Sequence, residues 1–490
     1  MLPSSRRSRS SRTPRAAALL AAGASLALVA AAAPGPAEPL GIGDRLFPHL
    51  GNPGYDVTDY DISFTYHGDN SKPLSAITKI DARATSRLDR INLDFSHGTV
   101  SSVLVNGASA HFTSSGEDLI VTPDRPVAAG KSLDVTVRHT SDPRPGKKEN
   151  GWVRTKDGLA MANQADAGHR VFPSNDHPSD KAYFTFRITA PKGYTAVANG
   201  LPVAKTRQGG ATQWAYRTAH PMATELAQVS IGRSAVLHQE GPHGLPVRDV
   251  VPAKDAKALR PWLKKTPGQI SWMEGKVGRY PFENYGLLMA HASTGFELET
   301  QTLSLFERDL FLRDGYPKWY IESIMVHELA HQWFGDSVSP RTWSDLWLNE
   351  GHATWYESLY AEEKADQPME KRMRSAYRAS DAWRAEGGPP ARPKAPSGGK
   401  ISIFRPVVYD GSALVLYALR QEIGKDAFQR LERAWVGTHR DSTATTADFT
   451  RLASQIAGQD LSGFFDAWLY GKKTPPMPGH PKWTSDPVPK

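Results

Sequence analysis

The 490-residue sequence contains no cysteine. That absence excludes disulfides, thiolate metal ligands, cysteine nucleophiles and a lipid-bearing N-terminal cysteine together. Excess positive charge is also scarce once its position is considered. Lys+Arg 59 against Asp+Glu 51 gives a formal charge of +8, which raises nucleic acid or an anionic membrane as partners. Arg6, Arg7, Arg9, Arg12 and Arg15 all precede the first acidic residue, so removing residues 1–33 takes five charges from +8 and leaves +3. So slight an imbalance argues against a nucleic-acid partner. Long apolar runs are rare too: residues 16–33 form an uncharged, apolar run of nearly the ~20 residues of a membrane span, and alanine dominates them. At 39% hydrophobic and 22% charged, the composition is globular and excludes a disordered or collagen-like chain.

The N-terminus combines basic residues 1–15, the apolar run 16–33 and the breaker Pro34-Gly35-Pro36. This is the layout of a secretory signal with an A-x-A-like cut site. The expectation is therefore a signal peptide over 1–33, a secreted mature protein without a stable membrane span, and a linker over 34–48. An uncleaved signal anchor is the rival, and Arg6-Arg7 permits a twin-arginine route.

From about 50 to 240 the apolar period is two: Tyr60, Ile62, Phe64 and Tyr66, then Ile91, Leu93 and Phe95, Leu133, Val135 and Val137, and Phe184, Phe186 and Ile188. Side chains of a strand face alternate sides of its sheet, so these runs predict half-buried antiparallel strands with turns at Asn106-Gly107 and Ala129-Gly130. An N-terminal β-sandwich or saddle over 49–245 follows. Beyond about 250, Ile321, Ile324, Met325 and Leu329 recur at helical spacing and predict a helix over 316–334 closed by Gly335. A second helix is expected from 346 to about 364, and later ones ending at Gly424, Gly437, Gly458 and Gly471. The fold class is multidomain α+β, with a mainly helical domain over 246–473, a breaker-rich loop over 387–399 and an extended proline-rich tail over 474–490.

His327-Glu328-Leu329-Ala330-His331 falls inside the first of these helices. Residues four apart share a helix face, so both imidazoles reach one ion, while Glu328 points about 100° away, beside it. Glu350, 19 residues past His331 on the next helix, supplies a third ligand. Two imidazoles favour zinc over calcium or magnesium, and three protein ligands leave a position open for water. With 16 His and 51 acidic residues, chance yields about 0.05 such motifs. One Zn2+ per chain is expected. A water activated by zinc attacks an amide carbonyl, and Glu328 is placed to accept its proton as general base.

The segments from His327 to Gly335 (His-Glu-Leu-Ala-His-Gln-Trp-Phe-Gly) and from Trp343 to Gly351 (Trp-Ser-Asp-Leu-Trp-Leu-Asn-Glu-Gly) resemble the zinc aminopeptidases related to aminopeptidase N, a gluzincin family that includes leukotriene hydrolase. Residues 164–178, with Arg170-Val171-Phe172-Pro173, and Pro221-Met222-Ala223-Thr224 are similar to the family as well. The resemblance implies an N-terminal β-saddle and a thermolysin-like catalytic domain, without the helical C-terminal domain that covers the cleft in larger relatives. It places Tyr409 on the family's catalytic tyrosine, as the oxyanion donor; alone, Tyr409 reads first as a core aromatic at a helix start. It places Glu299, in Gly295-Phe296-Glu297-Leu298-Glu299-Thr300-Gln301, on the glutamate that grips a free α-ammonium, a role that a surface glutamate would not fill. The family usually has asparagine at Thr300 and a small residue at Glu297. If Glu297 faces the cleft, its charge favours cationic N-termini. Gln164 resembles a residue of the first side-chain pocket, and Asp166 stands where relatives place a second amine-binding glutamate, or serves a turn. His352 reads as structural, whereas His169, His177 and His291 lack a partner that the sequence can name. The expected partner is a peptide with a free N-terminus, with the oligomeric state open. A zinc endopeptidase of the same fold and a non-catalytic peptide-binding protein are the alternatives.

Overall fold

Alternation in the first half of the chain builds sheets. The computed structural model describes residues 40–144, 151–292, 294–396 and 403–488; the expected signal segment and residues 34–39 of the expected linker lie outside them. Strand Tyr55–Thr65 buries Tyr60, Ile62 and Phe64 and turns the residues between them outward. It lies in an eight-stranded sheet, antiparallel to Leu74–Ala84 and parallel to Tyr183–Pro191. The turn after Val100–Val105 uses Asn106 and Gly107, both at positive φ, as a tight hairpin requires. Ile91–Asp94 departs from the half-buried expectation, because all four of its residues are buried. Asn92 and Asp94 stay inside because partners meet them there: Asn92 Nδ2 donates to Asp118, and Asp94 Oδ2 accepts from Gly51 N, Asn52 Nδ2 and Asp176 N.

A further sheet orders Ser234–Glu240, Pro246–Pro252, Leu287–Ala290 and Ser304–Glu307, with the last two joins parallel. The expected boundary at 245 falls in the turn between its first two strands. Helices follow: α1 (Ala256–Leu263), α2 (Thr266–Val277), α3 (Arg308–Leu312), α4 (Lys318–His331), α5 (Trp347–Ala365), α6 (Met369–Gly387), α7 (Asp410–Ile423), α8 (Lys425–Thr438), α9 (Thr446–Ala457) and α10 (Ser462–Phe465). A β-rich N-terminal domain thus precedes a mainly helical domain, the α+β arrangement expected. Among the described residues no helix is long and apolar enough to cross a membrane.

Two glycine expectations change. The helix carrying the histidines ends at His331, because the N–H groups of Gln332 and Trp333 turn back to carbonyls three residues earlier. Gly335, at φ 134, belongs to the turn beyond it. Helix α8 runs through Gly437 to Thr438, where packing of Leu431, Trp435 and Val436 overrides the cost of one glycine.

Residues 40–50 lack regular secondary structure, yet they are anchored. Asp44 accepts from Leu46 N, Phe47 N and Trp343 N at 2.7, 3.1 and 2.9 Å, and lies 3.3 Å from His177 Nε2. Burial would raise this carboxyl, but the hydrogen bonds hold it down to about 2. A depressed folded value stabilises the protein above the unfolded value and loses that contribution as pH falls through the folded one. Asp44→Asn should therefore cost about 1–3 kcal/mol at pH 7. The deficit, read from denaturant midpoints, should shrink as pH drops below 3.8 toward about 2.

Candidate metal centre and active site

Helix α4 is buried on most sides from Met325 to His331, so its histidines and glutamate are held by protein rather than by solvent. His327 Nε2 and His331 Nε2 lie 3.3 and 3.4 Å from Glu350 Oε2. The other ring nitrogens are engaged: His327 Nδ1 meets Glu357 Oε2 at 3.1 Å, and His331 Nδ1 meets Phe334 O at 3.1 Å. Each Nε2 is thereby turned toward the same point, the usual way a protein orients imidazole ligands.

Glu350 sits one turn into α5, whose start is fixed from outside. Thr342 and Asp345 form a capping box, and Asp345 Oδ1 also accepts from Thr446 N and Oγ1 at 2.9 and 2.7 Å. Gly351 lets α7 approach, since a Cβ there would lie 2.7 Å from Ser412 Cβ. That approach brings Tyr409, at the N-terminus of α7, to 6.0 Å from the His327 ring, nearly parallel to it.

The donor set fits one zinc ion. Glu350 Oε2, the oxygen facing both imidazoles, is buried without a hydrogen bond. Burial alone would lower both histidines, but Glu350 and Glu357 draw His327 up to about 9 and Glu299 and Glu350 raise His331 well above its usual value; the pocket is built for positive charge. Glu299, Glu328 and His331 also converge closely enough to hold an ion. That grouping has a single imidazole, whereas His327, His331 and Glu350 supply the N2O set that zinc prefers.

Glu299 is 3% exposed, 4.0 Å from His331. Gln332, next to the second histidine, ties it there: Nε2 donates to Glu299 O and Asp336 Oδ2, and Oε1 accepts from Thr302 N and Tyr280 OH. Thr300 closes the turn by donating to Leu303 O. Gln164 Nε2 donates to Glu299 Oε1 at 2.5 Å. Gln164, Glu297, Glu299, His327, Glu328, His331, Glu350 and Tyr409 line one open cavity of about 440 Å³. Burial pushes Glu328 above the usual carboxylate range, against the two imidazoles, and pushes Glu297 up to about 7.

Asp166 does not line this cavity; its charge acts on Arg170. His352 is structural: it stacks on Phe334 at 4.3 Å and bonds Leu348 O and Glu432. His169 meets Asp176 at 2.6 Å in the interior, and His177 pairs with Asp44 and Ser179.

Three residues of the site escaped the sequence reading. Glu357 lies two turns beyond Glu350 on the same face of α5 and orients His327. Arg372 of α6 holds Glu357 Oε1 at 2.6 Å and Asp410 at 2.7 Å. Burial would raise Glu357, but Arg372 and His327 hold it near 2. Glu225 follows Pro221-Met222-Ala223-Thr224 directly. Burial and then the charge of Glu299 keep its carboxyl far above the usual range. Glu357→Gln should weaken zinc binding about 10-fold, read by competition with a chelator of known affinity.

Two imidazoles and a carboxylate around one point, with a further glutamate beside them in an open cleft, define a zinc metallopeptidase. Residues 58–226 match the Peptidase M1 N-terminal domain and residues 263–468 the Peptidase family M1 domain, and the chain belongs to the M1 peptidase family. It is 23% identical over 441 residues to aminopeptidase 2 of Candida albicans, covering 84% of this chain and 46% of that protein. The chain thus spans less than half the length of the curated relatives it matches. The M1 zinc metallopeptidase of Deinococcus radiodurans is similar in structure, with a TM-score of 0.75, 27% identity, and coverage of 89% of this chain and 98% of that one. A variant of it bound to a Tyr-Ser-Ala substrate matches with TM-score 0.76 and 26% identity over 90% of this chain and 100% of that one.

Proposed function

We propose that this chain is an exported zinc aminopeptidase that removes the N-terminal residue from peptides. The observation that carries the reading is Glu299, a buried carboxylate 4.0 Å from His331 in the cavity that holds the zinc ligands. Hydrolysis at the first peptide bond needs an anion for the α-ammonium at a fixed distance from the reaction centre. Gln164 orients that anion through its 2.5 Å hydrogen bond.

Zinc, when bound, supplies Lewis acidity to the scissile carbonyl and makes water a better nucleophile near neutral pH. Glu328 takes a proton from the attacking water on its carboxylate and passes it to the nitrogen of the leaving amine. Burial, followed by Glu350, Glu299 and Glu328, keeps Tyr409 protonated far above its usual value. Its hydroxyl therefore remains a donor for the oxyanion. Glu357 and Phe334 O hold the imidazoles in place.

The Tyr-Ser-Ala substrate of the Deinococcus relative supports peptides as the substrate class. Export rests on the layout of residues 1–33 and is checked by N-terminal sequencing of secreted protein, with a start near residue 34 expected. A panel of aminoacyl-arylamides, assayed with and without a chelator, tests the activity. Hydrolysis should cease with the chelator and return with zinc. A zinc-loaded protein that cuts none of the panel overturns the reading.

A further inference from the structure

Two carboxylates on one backbone edge set the direction in which a peptide crosses the cavity. Leu298 bridges antiparallel to Leu305, exchanging hydrogen bonds of 2.9 and 2.7 Å, and its side chain is buried in the core. Glu297 and Glu299, on either side of it, therefore turn to the opposite face, which is the cavity. Their Cα atoms are about 6.6 Å apart in an extended segment.

Helix α4 gives this edge a polarity. Tyr320, Ile324, His327 and His331 all line the cavity, at the spacing of one helix face, over about 16 Å. Glu299 lies at the His331 end, 4.0 Å away. Glu297 lies toward the other end, where its charge acts on His327 and Tyr320. With the α-ammonium on Glu299 and the scissile bond at the zinc ligands, the leaving segment runs past Glu297 toward Ile324 and Tyr320.

Two of the cations near this edge are committed elsewhere. Arg308 is held by Asp255 and Asp309 at 2.7 and 2.8 Å, and Arg372 by Glu357 and Asp410. Arg405 lines the same cavity, with its Cδ 3.2 Å from where a Cβ of Gly387 of α6 would stand. Among the described residues, none of the ion pairs involves Glu297, and the like charge of Glu307 acts on it.

Resting on the aminopeptidase reading, we propose that Glu297 selects peptides whose second residue carries a cationic side chain, lysine or arginine. The sequence pointed its charge at the N-terminal residue; the polarity of the edge moves the preference to the residue after the scissile bond. A charge-assisted hydrogen bond of this kind is worth about 10-fold in kcat/KM.

The test uses Ala-Lys-Ala, Ala-Leu-Ala and Ala-Glu-Ala beside the arylamides of alanine and lysine. Wild-type protein should cleave Ala-Lys-Ala about 10-fold better than Ala-Leu-Ala, with Ala-Glu-Ala poorest. Glu297→Gln should bring the first two together, and Glu297→Lys should move the preference toward Ala-Glu-Ala. Hydrolysis of alanine arylamide, which has no second residue, reports on the aminopeptidase reading alone. Its absence overturns that reading. Its presence with equal wild-type rates on Ala-Lys-Ala and Ala-Leu-Ala overturns this inference and leaves the other standing. A variant effect confined to the lysine-to-alanine arylamide ratio returns the charge to the N-terminal residue and also overturns it.

Discussion

Glu328→Gln should lower kcat/KM for an aminoacyl-arylamide by roughly 10²–10⁴-fold, the range of a general acid–base group, while zinc stays at one per chain. The amide keeps the shape of the side chain, which is 6% exposed, but it cannot take a proton from water at neutral pH. Glu328 stands between His327 and His331 in sequence and about 100° around the helix from the first. Zinc retention is the discriminating half of this result. Glu299, Glu328 and His331 also converge, and were that grouping the true ligand set, the same substitution would strip the metal. A loss of zinc in step with activity would therefore move the centre. Full zinc with wild-type activity would remove Glu328 from the chemistry.

Glu299→Ala should raise KM for free-amine substrates by about 10–100-fold, since a hydrogen bond to a charged group contributes about 1.5–3 kcal/mol. The effect on kcat should be smaller, and the Ki of an N-acetylated peptide added as a competitor should not change. Glu299 does not depend on a flexible side chain for its place. Gln332 holds its backbone at 2.9 Å and Gln164 its carboxylate at 2.5 Å. Glu225 cannot substitute for the lost anion, because it does not line the cavity. An equal rise in KM for the free substrate and in Ki for the acetylated competitor would show that Glu299 shapes the cleft without gripping the amine.

Much of this architecture is legible in the order of residues. Alternation at Tyr60, Ile62 and Phe64 predicts a strand because one sheet face must be buried, and helical spacing around His327 predicts one face for both imidazoles. Periodicity misleads where both faces are covered. Asn92 and Asp94 look solvent-facing by alternation and are buried among hydrogen-bond partners far away in the chain. Glu357 was invisible for a related reason: a glutamate seven residues past another on a helix is ordinary, and only the fold reveals that Arg372 and His327 meet it. Asp166 illustrates the limit of a resemblance: it stands where relatives place a second amine-binding glutamate, yet it does not line the cavity, and its charge acts on Arg170. The direction of the substrate could not be read at all, because it depends on Glu297 and Glu299 lying beside opposite ends of the His327–His331 turn.

The most direct test of the account is the cleavage pattern of one peptide in two forms, free and N-acetylated, followed by mass spectrometry with and without a chelator. The account predicts stepwise loss of residues from the free N-terminus, no cleavage of the acetylated form, and no cleavage of either with the chelator. Internal cuts in the acetylated peptide, or trimming that persists after zinc is removed, would contradict it.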